Sequence, residues 1–158
     1  MAATPPLVVH EDVDFTVPRQ LLTAACGYPV FARFVGTVNI VVHFDADGNP
    51  TREVDSGSVT ETFFAPSTGR SVGFPLSLNS VATYAPDGSA IVTFGGLFID
   101  IHTAGGAPHL LDVGREVWSA QLVDMQPNGV PIWELDELLS KSGTTKGNLA
   151  GICLALNP

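Results

Sequence analysis

The sequence predicts an all-β fold, an antiparallel meander that closes as a β-barrel, and two observations carry this prediction. Strand-like runs dominate the chain, and turns rich in Gly, Pro and Asp separate them. Several runs reach twelve residues or more, and glycines stand inside two of them, at Gly36 and at Gly95-Gly96. Internal glycines of this kind are typical of sheets that bulge or coil until they close. A β-sandwich is the alternative.

The strands are predicted from alternating apolar residues. In the first long run, 30–44, one face carries Phe34, Val38, Ile40, Val42 and Phe44 at period two. The further predicted strands are 58–64, 72–84, 90–103 and 110–124. Turn residues follow each of them, because Pro presets φ and Gly or Asp accepts left-handed conformations.

One short helix is predicted near the C-terminus, at 132–141. Its apolar residues fall on one stripe, Pro131 stands at its start, and Gly143 follows its end. The stripe consists of Ile132, Leu135, Leu138 and Leu139. We also expect a helical turn over 21–25 and a short closing strand over 152–156.

Length and composition predict a single domain over 1–158, with a flexible N-terminus at 1–6. The chain has seven Lys and Arg against sixteen Asp and Glu, a net charge of −9, and its basic residues are scattered. This argues against nucleic-acid binding, which needs a basic patch to neutralise phosphates. No apolar run approaches the roughly 18 residues of a membrane span.

The start of the chain predicts an exported protein. The Ala- and Pro-rich residues 1–6 contain no signal peptide, but they are typical of the beginning of a mature exported chain. In an exported protein the two cysteines, Cys26 and Cys153, are expected to pair, which would tie the two ends of the fold together. In an intracellular protein they would instead be buried thiols.

A resemblance supports export. The segment Cys26-Gly27-Tyr28-Pro29-Val30, followed by a long β run, resembles the opening of an uncharacterised family of small secreted actinobacterial β-rich proteins. The match covers roughly 26–156 and continues in Asp45-Ala46-Asp47-Gly48, Ser67-Thr68-Gly69-Arg70-Ser71, Ala85-Pro86-Asp87-Gly88, Leu111-Asp112-Val113-Gly114-Arg115 and Ile152-Cys153-Leu154-Ala155-Leu156. The resemblance implies export and a Cys26–Cys153 disulfide, and it implies no activity. The helix predicted at 132–141 departs from it.

Two pairs of residues are candidate catalytic groups. Asp100 and His102 share one face of an apolar strand, where they could act as a general base and its orienting partner, or could lie at a solvated strand end. Arg33 and Glu61 are charged residues inside apolar strands, and they could form a cross-strand pair or lie on a solvated face. The four histidines show no metal-ligand spacing, so we expect no metal, and no cofactor is predicted.

The high proportion of apolar residues is compatible with three functions. The first is a secreted module that binds a small apolar molecule in the barrel, with ligand contacts from Phe31, Phe94, Phe98, Trp118 and Trp133. The second is a cofactor-free enzyme, a cyclase, isomerase or hydrolase of apolar small molecules. The third is a structural or interaction protein of the cell exterior with a solid core. An interior cavity of about 300–1,000 Å³ would favour the first two.

Overall fold

The computed structural model describes residues 5–102 and 108–157, apart from the side chains of Leu78, Leu97, 99–102 and 108–111. The described chain forms seven strands and two short helices. In chain order these are β1 (Leu7–Pro18), α1 (Gln20–Cys26), β2 (Phe31–Phe44), β3 (Pro50–Ala65), β4 (Arg70–Tyr84), β5 (Ser89–His102), β6 (Pro108–Met125), β7 (Pro131–Gly147) and α2 (Leu149–Leu156). Residues 1–4, which make up most of the segment 1–6 that is expected to be flexible, lie outside the described residues.

All seven strands belong to one antiparallel sheet, in which each strand pairs with the next along the chain. The prediction of an antiparallel meander is therefore confirmed, and the two-sheet sandwich is wrong. In the described part of the chain no hydrogen-bonded ladder joins β1 to β7, so the backbone pairing leaves the sheet open.

Alternation along the strands separates an inner face from an outer face. In β2 the inner residues include Ala32 and Val42, both fully buried, and their outward neighbours are half-buried or exposed. In β3 the inner face continues with Val59 and Phe63. Side chains alternate in direction along a strand, and this alternation turns the period-two sequence pattern into one buried face.

Three glycines lie in register across the sheet where it changes course. Gly96 faces Gly114, and Gly114 faces Gly143. The φ of Gly96 is +134°, and a Cβ there would lie 2.6 Å from the carbonyl oxygen of Ser77. The β4–β5 ladder ends just before it, at Gly95, while β5 continues along β6. Glycine thus permits a backbone conformation and a close approach that other residues would oppose.

The two helices pack together at one end of the sheet. The disulfide between Cys26 in α1 and Cys153 in α2 joins them, with a Cα–Cα distance of 5.2 Å. The hydroxyl of Tyr28 donates to the carbonyl of Cys153 at 3.1 Å. Below the helices, Leu22 and Ile152 are buried in one cluster with residues of β2, β3 and β4. The predicted disulfide and the helical turn at 21–25 are both confirmed.

The helix predicted at 132–141 is wrong, because the whole of this segment lies in β7. Its stripe does not pack as a helix face, and Leu135, Leu138 and Leu139 are 42%, 41% and 50% exposed. Register shifts interrupt the β6–β7 ladder. The apolar residues of β7 therefore do not alternate regularly, and their spacing in the sequence resembles that of a helix. Pairing with β6 overrides the local helix propensity.

Two further elements differ from expectation. The segment 152–156, expected to be a strand, forms most of α2, which Asn148 caps by accepting a hydrogen bond from the backbone of Ala150. The first strand, β1, was missed altogether. Its apolar residues do alternate, but acidic residues stand among them and weaken the signal. The short C-terminal helix that the sequence predicts therefore exists, but it is α2 and does not lie at 132–141.

Candidate ligand-binding site

A pocket of about 530 Å³, open to solvent, lies beside the two helices. This volume falls within the range of small-molecule sites, about 300–1,000 Å³. Most of its lining is apolar, and the polar lining residues are Arg19, Gln20 and Glu61. The apolar lining consists of Pro18, Leu21, Leu22, Phe63, Phe98, Leu149 and Ile152.

Exposed residues on both helices line the pocket, so it is open to solvent beside α1 and α2. Leu21 on α1 and Leu149 on α2 both line it, and they are 80% and 40% exposed. Deeper in the same cavity, Leu22, Phe63 and Ile152 are buried. The disulfide joins the two helices that form this rim, and so it restrains the entrance.

A second cavity of about 210 Å³ continues along the inner face of the sheet. Arg19, Glu61 and Phe98 line both cavities. The remaining lining of the second cavity comes from Phe34, Leu76, Ser77, Asn79, Phe94 and Gly95. The two cavities therefore share one pair of opposite charges in their walls, Arg19 and Glu61.

That pair is an ion pair between Arg19 and Glu61. Arg19 precedes α1, and its Nη2 donates to Oε1 of Glu61, which lies on the inner face of β3. The side chain of Glu61 is only 5% exposed, against 38% for Arg19. The guanidinium also lies over the rings of Phe34 and Phe63, at 5.2 and 5.9 Å from their centroids. Ion pairing and cation–π contacts together hold it at the wall of the cavity.

Burial and the ion pair act in opposite directions on Glu61. Loss of solvation raises the pKa of the Glu61 carboxyl, because burial disfavours the charged form, while the hydrogen bond and the charge of Arg19 lower it. Burial has the larger effect, so the pKa lies above the ordinary value for Glu. Arg19 is thus the group that favours the ionised carboxylate here.

A second polar cluster lies on the same face of β3, around Glu53 and Asp55. Oε2 of Glu53 accepts from the Tyr84 hydroxyl at 3.1 Å, and Oε1 accepts from Nε1 of Trp133 at 3.2 Å. Oδ2 of Asp55 accepts from the Ser80 hydroxyl at 2.7 Å, while Oδ1 is buried without a partner among the described residues. Two neighbouring acids therefore lie together in a poorly solvated part of the interior.

This cluster favours the neutral form of an acid. Burial raises the pKa of Glu53 to about 7, and the nearby charge of Asp55 adds to this effect, while the hydrogen bonds from Trp133 and Tyr84 oppose it. The pKa of Asp55 is also raised, mainly by burial. Ionisation of both carboxyls would place two like charges in a poorly solvated region, at a high cost in free energy. The pair therefore keeps one proton near neutral pH.

The predicted catalytic residues are distributed over different places. Glu61 lines both cavities, whereas Arg33 lies on the outer face, where its Nε and Nη2 donate to the Asp14 carboxylate at 3.0 and 2.9 Å. Of the two alternatives for this pair, the solvated face holds for Arg33, whereas Glu61 is buried and has Arg19 as its partner. Asp100 and His102 belong to the backbone of β5, and their side chains lie outside the described residues.

The aromatic residues predicted to contact a ligand also lie in different parts of the structure. Phe98 lines both cavities and Phe94 lines the smaller one. Trp133 packs against Phe94, with ring centroids 5.9 Å apart, and reaches Glu53. Trp118 donates to Glu116 at 3.1 Å, and it is not part of the lining of the two cavities. Phe31 lies on the outer face, stacked on Phe64.

The sequence reasoning missed Arg19, Glu53 and Asp55. The two acids carried a usable signal, because positions 53, 55, 59, 61 and 63 alternate into one face of the strand that holds Val59 and Phe63. Arg19 carried no such signal, since it lies between β1 and α1 and reaches the interior only through the fold.

The described residues contain no group of three or more His, Cys, Asp or Glu side chains arranged to hold a metal ion. Neither α1 nor α2 has the length and apolar character needed to cross a membrane, and no other helix occurs among the described residues. Comparison of the chain with protein-family models, with curated proteins and with solved structures finds no match.

Proposed function

We propose that this protein is an exported module that binds a small, mainly apolar molecule inside the curved sheet. The observation that carries the proposal is the 530 Å³ cavity, with its apolar lining and its opening beside α1 and α2. Apolar concave sites with a few polar groups are typical of small-molecule binding. Leu21 and Leu149 in the lining of the pocket are exposed, so a small molecule can reach it from solvent.

Barrel closure is part of the proposal, and contacts at one end of the sheet support it. Nδ2 of Asn128, in the β6–β7 turn, donates to Oε1 of Glu11 in β1 at 3.0 Å. Leu7 of β1 packs in the same cluster as Val130. The variant with Glu11→Cys and Asn128→Cys is expected to form a disulfide on mild oxidation. Failure to cross-link, with the native fold retained, would contradict closure at this end.

Export is supported by the disulfide, because such bonds persist in oxidising compartments and are rare in the cytosol. We expect the protein in the culture medium or on the surface of its native host, with its thiols oxidised. Protein confined to the host cytosol with two free thiols would contradict export. Membership of the secreted actinobacterial family stays a prediction.

An enzyme is the second candidate, favoured by one observation, the Glu61 carboxyl in the cavity wall. General acid–base chemistry usually needs a proton acceptor and a proton donor in reach of the substrate. Among the described lining residues of the two cavities Glu61 is the one acid, and Arg19 already engages it. The site as described therefore supports binding better than turnover.

The binding proposal is tested with the neutral fluorescent probe N-phenyl-1-naphthylamine. The wild type is expected to enhance its fluorescence, and Leu149→Trp at the rim should weaken binding several-fold by narrowing the entrance. Leu154→Trp is the matched control, because Leu154 lies on the same helix, is 67% exposed and does not line the cavities. Native mass spectrometry of protein from its own host should also show a copurified small molecule. The absence of both signals would overturn the proposal.

A further inference from the structure

The Arg19 guanidinium has more hydrogen-bonding capacity than the protein uses. A guanidinium has five N–H donors, and within the described residues this side chain makes one hydrogen bond, to Glu61. Its Nε is buried without a partner. The side chain as a whole is 38% exposed and lines both cavities. Because Nε is buried and out of reach of a ligand, the donors left over for the two cavities are the remaining N–H groups of Nη1 and Nη2.

The charge at this point is already balanced. Glu61 supplies one negative charge and Arg19 one positive charge, and no other Lys, Arg, Asp or Glu lines either cavity among the described residues. A carboxylate ligand would add a second negative charge beside the buried Glu61 carboxylate, with one guanidinium to balance both charges. The net charge of −9 also disfavours the approach of anions. A cationic ligand would meet Arg19 and find Glu61 occupied.

We infer that the interior site takes a neutral molecule with an apolar body and one hydrogen-bond-accepting oxygen, such as a ketone or ester, and that Arg19 donates to this oxygen. The inference rests on the proposed function and names its ligand class. The apolar body extends into both cavities, along the walls that Phe34, Phe63, Phe94 and Phe98 provide. Glu61 positions the guanidinium and sets the charge preference.

The experiment measures displacement of N-phenyl-1-naphthylamine by three unbranched molecules of closely similar size, 2-nonanone, decane and nonanoate, at pH 7.5. The quantity compared is the ratio of the 2-nonanone and decane affinities. In Arg19→Met with Glu61→Gln, which removes both charges, this ratio is expected to fall about 10–100-fold, the value of a hydrogen bond to a charged group. Arg33→Met is the matched control, because Arg33 lies on the outer face, and the ratio should not change there.

A second variant separates binding from a merely structural role of the ion pair. Glu61→Gln leaves the charge of Arg19 uncompensated, so nonanoate should gain affinity about 10-fold or more relative to 2-nonanone. The inference is overturned if the double variant keeps the wild-type ratio, or if nonanoate already binds the wild type best. If the probe itself does not bind to wild-type protein whose unfolding is normal, the proposed function fails instead. The two failures are thus distinguishable.

Discussion

The indole Nε1 of Trp133 lies 3.2 Å from Oε1 of Glu53, and this contact joins β7 to β3 through the interior. Three other strands, β4, β5 and β6, separate the two along the sheet. The sheet must therefore curve strongly for the two side chains to meet. The same curvature forms the cavity that Arg19 and Glu61 line.

Trp133→Phe should lower the free energy of unfolding by about 1–3 kcal/mol, because it leaves a buried carboxyl oxygen without its donor. The change should also raise the pKa of Glu53, since the lost hydrogen bond lowers it. Urea unfolding at pH 7 measures the first effect. Trp118→Phe is the control, because Trp118 donates to an acid that Lys141 also contacts. Equal losses in the two variants would contradict a special role for the Glu53 contact.

Glu53 should make the protein less stable as pH rises. Its pKa is about 7 in the folded protein and near 4.5 when unfolded, so between these values the folded state keeps a proton that the unfolded state loses. The free energy of unfolding therefore decreases over pH 4.5–7, by at most about 1.4 kcal/mol per pH unit. Below pH 4.5 this contribution is fully present.

The variant Glu53→Gln tests this directly, because it cannot ionise. Its stability relative to the wild type should improve as pH rises from 4.5 to 8, measured by urea unfolding at each pH. Glu134→Gln, at an exposed position of the same sheet, should show no such trend. A difference between Glu53→Gln and wild type that stays constant with pH would refute the raised pKa.

Gly96→Ala should be strongly destabilising, by about 2–4 kcal/mol, because the φ of +134° and the Ser77 carbonyl at 2.6 Å both oppose a Cβ. Its neighbour provides the control, since a Cβ at Gly95 would meet nothing within 4 Å. Thermal unfolding of the two variants measures the difference. Similar melting temperatures would mean that the sheet does not bend at the glycine row.

Removal of the disulfide should lower the free energy of unfolding by about 2–5 kcal/mol, since the bond closes a loop of 127 residues. The variant with Cys26→Ser and Cys153→Ser is compared with the wild type in urea, with and without reductant. Probe binding should weaken as well, because both helices at the cavity rim lose their link. A wild type that does not respond to reductant would contradict the structural role of this bond.

Much of the strand pattern could be predicted from the sequence because one face of the sheet is buried. Val42 in β2 and Phe63 in β3 lie in runs in which burial alternates residue by residue. Apolar runs of this kind predict the strands β2 to β6. The prediction failed in β7, where the ladder shifts register and the apolar residues remain exposed. It also failed at β1, where acids interrupt the apolar pattern.

By itself the sequence determined the acidic charge and the antiparallel meander of β2 to β6, because composition is a total and turns act locally. It made the pairing of Cys26 with Cys153 an expectation for an exported protein. Only the tertiary structure decided which charges share the interior. Arg19 and Glu61 lie 42 residues apart, and no local pattern relates them, because their contact depends on how far the sheet curves. The tertiary structure places this ion pair in the wall of a mainly apolar pocket.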